Sequence, residues 1–72
     1  MNEKEEKFQK FAEHRTTQAI KYIRLLGNLS NKRAYSYTKP QVDKIISALN
    51  KEVLNLKRKL SEGAPDENVF KL

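Results

Sequence analysis

The chain has 72 residues, a third of them charged, and a formal net charge of +6. That length makes one small domain whose core supplies little stability, so such chains lean on disulfides, metals or self-association. There is no cysteine and His14 is the sole histidine, which excludes disulfides, thiolate zinc sites and a multi-histidine metal site within one chain, and leaves self-association.

The first helix is expected over residues 3–26. Asn2 fits its N-cap, and Glu5 three positions on completes a capping-box pattern. Glu3, Glu5 and Glu6 sit where the positive end of the helix dipole favours anions. At about 100° per residue, Phe8, Phe11, Ala12, Thr16, Ala19, Ile20, Tyr22, Ile23 and Leu26 fall on one broad face. A face that wide meets more than one neighbour. Arg15 interrupts it, and a cation there must snorkel, pair with an acid such as Asp43 or Glu52 of another subunit, or project from a gap. Gly27 occupies the position where a helix commonly ends in a left-handed residue, with Asn28 following.

The connector over residues 28–37 is longer than a minimal helical hairpin turn. Leu29 is expected to plug the core, and Ala34 with Tyr35 to form a brief turn or a short third helix. The segment NKRAYSYTKP alternates cations with Tyr35 and Tyr37. It lies inside an acid-free run between Glu13 and Asp43 that carries Arg15, Lys21, Arg24, Lys32, Arg33 and Lys39. Nearly all the positive excess lies between His14 and Lys59.

The second helix is expected over residues 39–61. Thr38 and Gln41 form a Thr-x-x-Gln capping box, and Tyr37 with Val42 fits the hydrophobic staple that would bury the Tyr37 ring. Pro40 is tolerated in the first turn, where its missing N–H is not needed. Val42, Ile46, Leu49, Val53, Leu56 and Leu60 alternate in steps of four and three: Ile46, Val53 and Leu60 take heptad position a, and Val42, Leu49 and Leu56 take d. β-Branched residues at a with leucine at d favour two parallel strands. Glu52 at g and Lys57 at the next e have the spacing of an interchain ion pair, while Ile45 and Leu54 lie outside the narrow seam. The stripe therefore packs either on the first helix of its own chain or on a second copy. Gly63 and Pro65 stop the helix, and residues 63–72 read as a flexible tail ending in Val69, Phe70 and Leu72.

Catalytic chemistry finds few candidates. Ser–His–acid catalysis could use only His14, which falls outward with Lys10, Thr17 and Lys21, and two glycines make no phosphate loop or dinucleotide fingerprint. No enzyme, cofactor or metal is expected. Binding has three candidate constellations. The connector supplies Lys32, Arg33, Tyr35, Tyr37 and Lys39, cations for phosphates and rings for unpaired bases. Lys44, Lys51 and Arg58 form an outer row at position f, extended by Lys57 and Lys59. Lys10, Lys21 and Arg24 line the outward face of the first helix. For each of them an ordinary solvated face is the competing explanation.

The run over residues 15–46 resembles a recurrent pattern in short uncharacterised bacterial proteins. The resemblance rests on Arg15–Thr16, on IRLLGNLSN from Ile23 to Asn31 and on YSYT from Tyr35 to Thr38. It implies a bacterial or mobile-element accessory protein and attaches no activity.

These features together predict an all-α fold: an antiparallel two-helix hairpin over residues 1–62 with a structured basic connector, completed by homodimerisation. No apolar run approaches the roughly 20 residues that span a bilayer, and the first residues lack the apolar stretch of a secretory signal, so a cytoplasmic protein off the membrane is expected. The expected function is a non-enzymatic accessory or regulatory protein binding nucleic acid through Lys32, Arg33, Tyr35, Lys39, Lys44, Lys51 and Arg58. The alternative is a helical interaction module, an adaptor or inhibitor docking on an acidic or apolar groove of a partner protein.

Overall fold

A computed structural model describes residues 2–63 of the chain. The expected 63–72 tail lies, apart from Gly63, outside the described residues. Regular structure among the described residues is entirely helical: α1 spans Glu3–Gly27, a 3-10 turn spans Asn28–Ser30, and α2 spans Lys39–Gly63. The chain divides into two units, Met1–Ser36 and Tyr37–Leu72, each built around one long helix.

In the first unit, α1 starts as its sequence demands. The Glu5 amide donates to Asn2 Oδ1 at 2.8 Å, and the Glu6 amide donates to the Asn2 carbonyl at 3.1 Å. Asn2 Nδ2 donates back to Glu5 Oε1 at 3.4 Å, which closes the box through side chains. Glu3 and Lys7 pair across one turn at 3.5 Å, an exposed i,i+4 contact worth a few tenths of a kcal/mol.

The far end of α1 departs from expectation. Gly27 lies at φ −60°, ψ −28°, in the right-handed region, and no described glycine has a positive φ. The helix does not end in a left-handed glycine. It tightens instead into the 3-10 turn, and the Asn28 amide points at the Arg24, Leu25 and Leu26 carbonyls. A shift from α to 3-10 spacing satisfies the last carbonyls as a Schellman turn would, without a left-handed residue.

In the second unit, Thr38 and Gln41 make the expected reciprocal cap. The Thr38 amide donates to Gln41 Oε1 at 2.8 Å, and the Gln41 amide donates to Thr38 Oγ1 at 3.3 Å. The Val42 amide completes the turn on the Thr38 carbonyl at 3.1 Å. Helix α2 then runs two residues past the expected stop, through Gly63.

No side chain among the described residues is buried. Leu29, expected as a core plug, is exposed, and so is Tyr37 at 41%, although the staple position was expected to cover it. A single helix with one flanking turn has no second layer to close over such rings.

Candidate nucleic-acid interface

The connector cations ride on a turn organised by Asn31. The Arg33 amide donates to Asn31 Oδ1 at 3.1 Å, an Asx turn, while the Ala34 and Tyr35 amides donate to the Asn31 carbonyl at 3.1 and 3.0 Å. Capping alone did not explain the polar NLSN segment. The structure does so for Asn31, whose short amide side chain holds the chain reversal where a longer one could not. The brief turn expected near Ala34 and Tyr35 is present over residues 32–34.

This geometry decides how an anion could be met. The amides of Arg33, Ala34 and Tyr35 are all engaged by Asn31, so the turn is not a backbone nest for phosphate. Its anion-binding capacity lies in the side chains of Lys32 and Arg33, both exposed. Tyr35 follows immediately, with 49% of its surface open, which leaves ring face available for stacking.

The start of α2 follows the same logic. Pro40 has no N–H, and the Gln41 and Val42 amides are taken by Thr38. The helix terminus is therefore largely self-satisfied, and the Lys39 side chain carries the charge presented there. Further along α2, Lys44, Lys51 and Arg58 recur every seven residues and are exposed. Seven residues advance a helix by about 10.5 Å and nearly two full turns, so the three cations form a straight row.

Lys32, Arg33 and Tyr35 thus belong to the first unit, and Lys39, Lys44, Lys51 and Arg58 to the second. The turn gathers the first set within four residues, and α2 aligns the second. On α1 a shallow groove lined by Thr17, Ile20, Lys21, Arg24, Leu25 and Asn28 brings Lys21 and Arg24 beside an amide side chain. Lys21 and Arg24 stand out in the sequence as a basic face. Asn28 does not, because it reads as the residue after a helix end, yet its i+4 spacing from Arg24 continues the same stripe.

Two other residues find clear settings. Arg15 lies with its guanidinium 5.3 Å from the centroid of the Phe11 ring, one turn earlier. That cation–π contact holds a cation within an apolar stripe without an acid, and is worth about 0.5–1 kcal/mol at an exposed site. His14 borders an open groove with Glu6, Gln9, Lys10, Glu13 and Thr17, on the outward face where it was expected. Among the described residues no three His, Cys, Asp or Glu side chains are grouped to hold a metal ion, and no helix is long and apolar enough to cross a membrane.

Comparison with known proteins returns no matching family model, curated protein or solved structure. The functional argument rests on the residues themselves.

Proposed function

We propose that this protein is a non-enzymatic accessory or regulatory factor that binds nucleic acid mainly through phosphate contacts. Lys32, Arg33, Lys39, Lys44, Lys51 and Arg58 meet phosphates, and Tyr35 stacks on an unpaired base. One observation carries this function: an uninterrupted acid-free run from His14 to Val42 whose central turn exposes two adjacent cations beside an open tyrosine ring. Acids interspersed in that run would cancel the local potential that draws a polyanion. Their absence leaves it intact over the length of the connector.

The proposed working form is cytoplasmic, an antiparallel hairpin over residues 1–62 associated with a second copy of the chain. Association is supported by the quantity of apolar surface each helix leaves open, since a contiguous patch of that kind marks an interaction face. No base-specific readout is proposed, because the connector exceeds the three to four residues of a helix-turn-helix turn.

The test is size-exclusion chromatography with light scattering, alone and with a mixed DNA and RNA oligonucleotide pool at low and moderate salt. The expected result is a species that shifts with the pool and releases it as salt rises. Binding undiminished in high salt would contradict phosphate-dominated recognition.

A second function has its own support. Leu54 is 65% exposed, and Phe8 and Tyr22 are open to a similar degree. Large apolar side chains this accessible suit a helical adaptor or inhibitor that docks on an apolar or acidic groove of a partner protein. A chain that ignores the oligonucleotide pool in every salt condition favours this module.

A further inference from the structure

The heptad seam of α2 is continuous and open. Ile46, Val53, Leu56 and Leu60 are each about half exposed or more, Val53 at 57%, and Leu49 is the one half-buried member. From Val42 to Leu60 no polar residue falls at a or d. Helix α1 offers no equal stripe. Its own four-three register runs through Phe8, Ala12, Arg15, Ala19, Tyr22 and Leu26, so a guanidinium sits at its middle, drawn over Phe11.

Charge then selects both the occupant and its direction. In a parallel, in-register pair the g residue faces the following e residue of the partner helix. Glu52 at g then faces Lys57 at e of the second copy, twice by symmetry, and no like charges meet across the seam. In an antiparallel pair covering the same six layers, g faces g and e faces e. Asp43 and Lys57 then attract twice, but Glu52 faces Glu52. The a and d residues point the same way, because β-branched side chains at a with leucine at d fit the parallel two-stranded holes.

We infer that α2 pairs with α2 of a second copy as a parallel, in-register coiled coil, with Ile46, Val53 and Leu60 at a and Val42, Leu49 and Leu56 at d. This names the face and the direction of the association proposed above, and depends on that association alone, not on nucleic-acid binding. Parallel pairing places the two Lys39 residues at one end. It puts the two Lys44–Lys51–Arg58 rows on opposite outer sides, because f lies across the helix from the seam.

The test uses the full chain, which has no native thiol. Light scattering should give twice the 8.4 kDa chain mass. Val42→Cys and Leu60→Cys, each prepared alone, should form an intermolecular disulfide under mild oxidation. An antiparallel pair would separate like positions by about 27 Å, far beyond the roughly 7 Å that a disulfide spans. Cross-linking only when the two variants are mixed would overturn the direction and leave the pairing standing. Doubled mass with no cross-link in any combination would overturn the seam, and monomer mass would overturn association itself. Should the cysteine variants lose helicity, charge exchange serves instead. Glu52→Lys and Lys57→Glu should each weaken association by about threefold to tenfold, and the double exchange should restore it. A double variant no better than the singles would reject the parallel seam.

Discussion

Gly27 has right-handed dihedrals, and a Cβ built there would meet nothing within 4 Å. Gly27→Ala is therefore expected to stabilise α1 by about 0.5–1 kcal/mol, since it lowers unfolded-state entropy without strain. A thermal melt followed by circular dichroism checks the sign, because a left-handed glycine would give destabilisation instead. At the other helix, Thr38→Ala removes the acceptor of the Gln41 amide and should cost about 1 kcal/mol in the same assay. Tyr35→Ala should weaken single-strand binding by about 1–3 kcal/mol while leaving duplex binding nearly unchanged, since only an unpaired base offers its face. Titration against matched single- and double-stranded oligonucleotides measures the difference. The two caps were legible in the sequence because each depends on partners three residues apart. The state of Gly27 was not, because glycine after an apolar stripe suits a left-handed stop and a continuing turn equally well. Arg15 fell between: its misfit was visible, whereas its contact with Phe11 required knowing which rotamer one turn of helix allows.

Each helix is 25 residues long, so at about 1.5 Å per residue each extends about 37 Å. Helices of that length draw most of their stability from packing an apolar face rather than from propensity. Far-ultraviolet dichroism per residue should therefore rise with protein concentration as faces are covered, and a signal independent of concentration would argue against association. Lys32 and Arg33 lie in the turn between helical segments, outside every helical hydrogen bond. Replacing both by Glu should abolish oligonucleotide binding while leaving the helical signal unchanged; a loss of helicity would mean the turn has a folding role instead. Boundaries at this scale were legible to within two residues. The errors both fell at helix C-termini, where a glycine ends a helix only if the following chain turns away.

For the molecule as a whole, two outer cation rows on opposite sides of a parallel pair would contact two separate polyanion segments. The complex should then hold two oligonucleotides per dimer, readable as mass by light scattering. Neutralising Lys32 and Arg33 with Gln should flatten the dependence of log affinity on log salt by about 1.4 for single strands, two lost contacts at about 0.7 each. An unchanged slope would remove both residues from the interface.

Helix number, helix starts, the heptad register of α2 and the basic, acid-free connector were all determined by the sequence itself. These depend on periodicity and on side chains that meet backbone groups within four residues, interactions that short-range geometry settles. Only the tertiary structure decided that Gly27 stays right-handed, that Asn31 consumes the turn's amides and leaves anions to side chains, and that Leu29 and Tyr37 remain exposed. Each of those outcomes is a choice between two locally acceptable conformations. Such a choice turns on which carbonyls and amides are already satisfied and on what, if anything, lies above the ring, and neither is written in spacing alone.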